Sequence, residues 1–327
     1  MRAILQNEFG GPEKMYLGDT PEPVLREHEV LVKVRAAGVN RADTLQRKGL
    51  YPPPPGESEI MGLELAGEVA ALGPGCTRHA EDDRVFGIVP GGGYAQYAAM
   101  DERLVMPIPE GMEFTEAAGV AEVFLTAHQA LFWLAGLRSG EWLLIHAGAS
   151  GVGTAASQLA REAGARVMVT ASSEAKLATS RALGAELGIN YKEQDFVAAA
   201  REATGSTGPA VIIDFIGEAY FQRNLETLAP DGRMVMLATI GGGEADNVNL
   251  RLILVKRLKV MGSTLRARDL DYRAGLTADF SERWLPLFAE GRLKPVIDTI
   301  YPWEQAAEAH RRIEANLNTG KIILRME

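Results

Sequence analysis

The feature that most constrains this chain is a run in its middle where short apolar stretches alternate with helix-like ones. Trp142–His146, Arg166–Thr170, Leu187–Asn190, Val211–Ile216, Arg233–Ala238 and Leu258–Gly262 read as strands. Between them, Thr154–Ala163, Ser173–Leu183, Asp195–Ala203, Tyr220–Leu228 and Leu250–Lys256 read as helices. Strands that are apolar throughout, each followed by a helix, require a parallel sheet covered on both faces. Six strands with five crossovers complete a doubly wound α/β fold of the dinucleotide-binding (Rossmann) kind.

The first part follows another rule. Val30, Val32 and Val34 alternate with Leu31, Lys33 and Arg35, the pattern of a strand with one wet face. Leu65–Ala71, Asp83–Ile88 and Tyr94–Met100 are further strands, separated by Pro52-Pro53-Pro54-Pro55-Gly56 and Pro90-Gly91-Gly92-Gly93. Many short strands punctuated by Gly and Pro indicate a compact β-barrel-like domain. After about Ser263 the pattern is mixed, with a helix at Glu304–Glu314 and a final strand at Lys321–Arg325. A chain of 327 residues is long for one core, so two domains are expected. The tail is expected to rejoin the first, giving a domain from 1–118 and 263–327 around one from 119–262.

Composition narrows the function classes. Hydrophobic residues make up 46% and charged residues 24%, as in an ordinary globular protein. The net charge of −9, from 43 acidic against 34 basic residues, argues against a nucleic-acid partner. No stretch reads as the run of roughly 20 apolar residues that crosses a bilayer, so no membrane association is expected. The first residues lead into a strand pattern without a signal-peptide core, and the expected location is cytoplasmic. The one cysteine, Cys76, excludes an intrachain disulfide and a cysteine-rich zinc lobe. Nothing beside it in sequence would lower its pKa, so it is read as an incidental thiol.

The strand at Trp142–His146 runs into Ala147-Gly148-Ala149-Ser150-Gly151-Val152-Gly153 and then a helix. Backbone N–H groups and the positive end of a helix dipole make such a turn an anion site. Gly151 would let a pyrophosphate approach, and Gly153 would let the helix pack on the sheet. Ser150 stands where a glycine is usual, and a tight structural turn is the other reading of such a segment. Its place at the head of several βαβ units favours the nucleotide. An Asp or Glu about 20 residues further on would hold a ribose 2′-OH. Here the second strand ends in Thr170-Ala171-Ser172-Ser173. Hydroxyls without a carboxylate accept a 2′-phosphate, with Lys176 and Tyr191 in reach to support it, so NADPH is the expected cofactor. Lys176 has the alternative reading of a solvated helix lysine.

These segments carry a family resemblance. Leu144-Ile145-His146-Ala147-Gly148 through Gln158, Gly38-Val39-Asn40-Arg41-Ala42-Asp43 and Gly62-Leu63-Glu64-Leu65-Ala66-Gly67 resemble the zeta-crystallin-like quinone oxidoreductases. The Ser in the glycine turn is similar to the tumour-suppressor-inducible subgroup. Gly49-Leu50-Tyr51, Lys192–Phe196, Leu265–Asp269, Glu314-Ala315-Asn316 and Gly320-Lys321-Ile322 extend the likeness through the whole chain. It implies a GroES-like catalytic domain beside the Rossmann domain, and NADPH-dependent reduction of a quinone by hydride from nicotinamide C4. The zinc-dependent alcohol dehydrogenases share the architecture. Their first Cys position corresponds to Asn40 and their His position to Leu63, so no metal ligand set is expected.

The same resemblance places Asn40 and Tyr51 at the substrate, where an amide and a phenol can donate to a developing oxyanion. A turn residue and a hinge aromatic are the plainer readings of these two. Thr126, read as opening a helix, would lie near the nicotinamide. Gly241 and Gly242 would approach its ribose, Leu265 and Arg266 its carboxamide, and Asn316 the adenosine phosphate. His146 and Glu64 are read as structural. Two alternatives stand beside quinone reduction: an NADPH-dependent reductase of α,β-unsaturated aldehydes or ketones, and a non-catalytic NADPH-binding redox sensor. Leu258–Gly262 would be an unpaired apolar sheet edge, which predicts a homodimer that continues the sheet across a two-fold axis.

Overall fold

The computed structural model describes residues 1–326 and resolves the chain into two compact units, Met1–Leu125 with Arg266–Glu327, and Thr126–Leu265. In the first unit, β1 (Arg2–Gln6) and β2 (Met15–Asp19) form an antiparallel hairpin. The central strand is β3 (Glu29–Val39), in which Val30, Val32 and Val34 are buried and Lys33 is exposed. Helix α1 (Arg41–Arg47) follows at once, and then β4 (Glu64–Leu72), β5 (Arg84–Ile88), β6 (Tyr97–Asp101) and β7 (Val105–Pro107). Two short helices, α2 (Phe114–Ala117) and α3 (Ala121–His128), lead out of this part.

The second unit has the order that its alternating pattern requires: β8 (Trp142–Ile145), α4 (Gly151–Glu162), β9 (Arg166–Ala171), α5 (Glu174–Ala182), β10 (Ala185–Asn190), α6 (Phe196–Ala203), β11 (Val211–Asp214), α7 (Glu218–Thr227), β12 (Arg233–Met236), α8 (Leu250–Lys256) and β13 (Lys259–Gly262). The six strands are all parallel, ordered β10-β9-β8-β11-β12-β13. The order reverses beside β8, where the crossovers switch face, and a crevice for a ligand opens at such a point. Leu144, Met168, Ile189, Ile212 and Met234 fill one side of the sheet. On the edge strand β13, Val260 remains 36% exposed.

The tail contributes α9 (Leu270–Ala289), β14 (Ile297–Pro302), α10 (Ala306–Glu314) and β15 (Lys321–Arg325) to the first unit. Its seven-stranded sheet runs β14-β15-β3-β4-β5-β7, with β6 also on β3. Strand β15 pairs antiparallel with β3, Ile322 opposite Val39. The last strand of the chain therefore lies against the segment that carries Asn40.

Two expectations need correction. Thr126 does not open a helix: it lies inside α3, because Ala121 to Leu125 already continue helically and no capping residue precedes Thr126. The helical stretch Phe114–Leu134 is also, at 21 residues, long and apolar enough by composition to cross a membrane. Glu116, Glu122 and His128 interrupt its apolar residues, so it was not visible as a continuous run. Most of it is buried inside the protein, as in a core helix.

Candidate active site

In the second unit the turn after β8 is built by its small residues. Ala147 takes a left-handed φ of 50°, and the N–H of Gly148 reaches the Thr170 carbonyl at 2.9 Å. A Cβ on Gly148 would lie 2.4 Å from Val169, so it is this glycine that lets the turn lie against β9. A Cβ on Gly153 would lie 2.5 Å from the Ala147 carbonyl, so Gly153 packs the first helical turn on its own loop rather than on the sheet. Ser150 is the N-cap: its Oγ accepts the Gly153 N–H at 3.1 Å. The N–H groups of Gly151 and Val152 then have no hydrogen-bond partner among the described residues. Two open donors at the positive end of a 12-residue helix fit the pyrophosphate of a dinucleotide.

The neighbouring strand ends fit its adenosine end. Ser172 and Ser173 are half-buried after β9, and the Ser173 hydroxyl caps α5 by accepting the Lys176 N–H at 3.4 Å. The N–H of Tyr191 donates to the Ala171 carbonyl at 3.2 Å, which brings the exposed tyrosine beside the two serines. The carboxylate that opens α5, Glu174, is held by the Arg181 guanidinium. After β12, Gly241 N–H donates to the Ile216 carbonyl at 2.8 Å, and the Gly242 carbonyl accepts from Glu218 at 3.1 Å. The loops after β11 and β12 are thus laced together at the same end of the sheet. Leu265 is buried at the close of this unit.

His146 is part of the core. Its Nε2 lies 2.7 Å from Asn224 Oδ1 and its Nδ1 3.1 Å from Thr170 Oγ1. The Asn224 oxygen can only accept, so Nε2 carries the proton and Nδ1 accepts from the hydroxyl. Burial pushes the ring down to about 4, so it stays neutral.

In the first unit an ionic cluster is buried at the join of β3, α1, β4 and β15. Glu64 is fully buried, and Lys321 almost so. The Lys321 ammonium forms an ion pair with Glu64 Oε1 (2.6 Å) and donates to Asn40 Oδ1 (2.6 Å) and the Val39 carbonyl (3.0 Å). Glu64 also accepts from Asn40 Nδ2 at 3.0 Å and from the Glu122 N–H at 2.8 Å. A Cβ on Gly38 would lie 2.2 Å from Glu64 Oε1, which explains the glycine inside β3. The Asn40 amide is thereby engaged at both ends, oxygen to ammonium and nitrogen to carboxylate. It orders this cluster rather than presenting a free donor.

A second chain of contacts continues from the first. Asp43 Oδ2 accepts from the Asn40 N–H (2.7 Å) and the Tyr94 hydroxyl (3.0 Å). Arg47 lies 3.1 Å from His310 Nδ1, whose other nitrogen lies 3.3 Å from the Tyr94 oxygen. Arg47 can only donate, so His310 is neutral and protonated at Nε2. Burial is the larger cause, and the guanidinium adds to it, of a ring pushed down to about 3. Burial raises Asp43 to about 6.

Tyr51 is half-buried, and its phenol has no hydrogen-bond partner among the described residues. Burial first, and the Glu122 carboxyl second, push that phenol above its ordinary value. The loop is pinned by Arg266, which donates to the carbonyls of Pro90 (2.7 Å) and Tyr51 (3.2 Å) and to Gln46 Oε1 (2.9 Å). Its guanidinium carbon lies 5.4 Å from the centre of the Tyr51 ring. Arg266 therefore sets the tyrosine loop. Asn316, exposed and with a left-handed φ of 55°, accepts from Arg41 at 2.6 Å. Sequence reasoning missed Glu122 and Lys321. A lysine next to the apolar run Ile322–Leu324 was the available signal.

A family model described as an alcohol dehydrogenase GroES-like domain matches residues 26–110, and one described as a zinc-binding dehydrogenase matches 151–282. Human quinone oxidoreductase is 33% identical over 331 residues, covering 99% of this chain and 97% of that protein. The chain belongs to the zeta-crystallin-like quinone oxidoreductases of the medium-chain dehydrogenase/reductase family. The Escherichia coli quinone oxidoreductase solved in complex with NADPH superposes with a TM-score of 0.89 at 30% identity, covering 99% of this chain and 100% of that one. A structure titled NAD-dependent alcohol dehydrogenase gives 0.89 at 32%, with 100% of each chain covered. A pikromycin polyketide synthase component of Streptomyces venezuelae is 36% identical over 310 residues, 94% of this chain but 8% of that protein. Among the described residues no group of three or more His, Cys, Asp or Glu could hold a metal ion.

Proposed function

We propose that this oxidoreductase reduces quinones with NADPH, without a metal. When bound, the cofactor supplies a hydride at nicotinamide C4. Gly151 and Val152 would hold its pyrophosphate through their open N–H groups, with Ser150 and Gly153 shaping the turn. Ser172, Lys176 and Tyr191 would hold the 2′-phosphate, beside a helix start whose acid, Glu174, is already paired with Arg181. Gly241, Gly242, Thr126 and Leu265 are assigned to the nicotinamide end, and Asn316 to the adenosine phosphate. The observation that carries the reading is Tyr51: a half-buried phenol whose hydroxyl has no hydrogen-bond partner among the described residues, on a loop pinned by Arg266.

A quinone already draws charge to its carbonyls and needs positioning and a donor rather than a Lewis acid. Tyr51 supplies the donor and a planar face. Asn40 holds Glu64 and Lys321 in place. The same donor serves an α,β-unsaturated aldehyde or ketone, and the likeness to a polyketide synthase component favours that as the second reading. We further propose a homodimer through β13, on the ground that this edge is unpaired in the single chain. Parallel assays with a 1,2-naphthoquinone, a 1,4-benzoquinone and a 2-alkenal test the substrate class. Quinone turnover that collapses in Tyr51→Ala while NADPH binding persists is expected. Turnover of the alkenal alone would replace the reading with the enone one.

A further inference from the structure

The loop that starts at Tyr51 has little of its own to hold it. Pro52, Pro53, Pro54 and Pro55 carry no N–H, so the segment cannot build a ladder of its own backbone bonds. None of residues 51–60 is fully buried, and the loop borders a cavity of about 990 Å³ lined by Pro52, Pro53 and Glu57 together with Tyr16 and Tyr97. Packing alone therefore does not fix it. Its carbonyls are held instead by side chains from elsewhere. Arg266 donates to the Tyr51 carbonyl at 3.2 Å, Arg26 to that of Gly56 at 2.5 Å, and Gln46 Nε2 to that of Glu59 at 2.9 Å. Gln46, near the end of α1 and 4% exposed, joins the two ends, because its Oε1 also accepts from Arg266 at 2.9 Å. The direction of this amide is forced, since a guanidinium can only donate and a carbonyl can only accept.

We propose that Gln46 is a positioning residue for Tyr51, acting through Arg266. The proposal rests on Tyr51 being the donor in the reading above, and adds what aims it. Arg266 meets Tyr51 twice, at the backbone carbonyl and with its guanidinium carbon 5.4 Å from the ring centre. Its two remaining contacts, to the Pro90 carbonyl at 2.7 Å and to Gln46, fix the rigid guanidinium fork from both sides. A ring held against such a fork meets the acceptor in one orientation. Displacement of a reacting group by about 1 Å costs on the order of 100-fold in rate. Gln46→Glu keeps the acceptor for Arg266 but sets a carboxylate oxygen against the Glu59 carbonyl. Gln46→Met, of similar length, keeps neither contact.

The first test needs no cofactor. Tyrosinate absorbance is titrated in the wild type and in Gln46→Met, each against its Tyr51→Phe counterpart to isolate the one phenol. Burial holds the Tyr51 phenol above its ordinary value, so release of the loop is expected to move its titration to lower pH. The second test is a double-mutant cycle on kcat for a quinone. Gln46→Met is expected to lower kcat by about 10-fold or more when Tyr51 is present. In the Tyr51→Phe background the same change should cost less than about twofold, because aiming matters only where there is a donor to aim. Gln46→Glu should fall between wild type and Gln46→Met, and where Gln46→Met fails to fold the same cycle is run with Gln46→Glu. An equal loss in both backgrounds, or a Tyr51 titration that Gln46→Met leaves unmoved, would overturn the proposal. Full quinone turnover by Tyr51→Phe would instead remove Tyr51 as the donor, a different failure read from that single variant.

Discussion

Lys321 ties the buried cluster together through one ion pair and two hydrogen bonds. Its ammonium faces the fully buried Glu64 carboxylate at 2.6 Å. Replacing it with Met would strand a fully buried carboxylate, at a cost of about 3–5 kcal/mol that urea unfolding would register. Removing only the phenol, in Tyr51→Phe, should leave stability unchanged and lower kcat for quinone by about 100-fold. His146 has its folded pKa depressed, to about 4 from an ordinary 6.5. The unfolded chain takes up a proton first, so the stability it contributes is present above 6.5 and is lost as pH falls towards 4. The stability gap between wild type and His146→Gln should accordingly narrow on acidification, as thermal melts across that range would record. Site chemistry at this scale was only partly legible. Asn40 and Tyr51 could be nominated only through the family resemblance of the segments that carry them. One partner of Asn40, Lys321, lies 281 residues away in the sequence, and only the fold brings β15 beside β3.

At the scale of elements, the turn between β8 and α4 carries two separable demands. Ser150→Ala removes a cap and should cost about 1 kcal/mol. Gly153→Ala forces a Cβ to 2.5 Å from a carbonyl oxygen, and displacement of the helix start should cost ~2 kcal/mol and weaken NADPH binding. Calorimetry of both variants with and without NADPH separates the two effects. Parallel strands were readable because burial on both faces forces continuous apolar runs, and α8 matches its expected limits. Elsewhere the signal failed for physical reasons. Helix α9 spans 20 residues but contains Gly275 and Pro286, which blur its periodicity. Strands β2 and β14 have no fully buried residue, so neither shows an apolar face. Thr126 was misplaced because a resemblance gives a neighbourhood, not a helix start.

For the whole molecule, the unpaired edge of β13 lies beside an apolar face. Leu250, Leu254 and Val255 on α8 are 68%, 77% and 53% exposed. Apolar side chains next to an open sheet edge favour pairing with a second copy. Sedimentation at micromolar concentration should give a dimer for the wild type and a monomer for Val260→Asp; a monomeric wild type would refute the pairing. The central claim is quinone reduction driven by NADPH. It is tested most directly by following loss of the reduced-nicotinamide absorbance with a quinone present, in parallel reactions with NADPH and NADH. Quinone-dependent oxidation of NADPH well ahead of NADH is the expected result. Equal rates, or a preference for NADH, would contradict the assignment of Ser172, Lys176 and Tyr191, and absence of turnover with either would contradict quinone reduction itself.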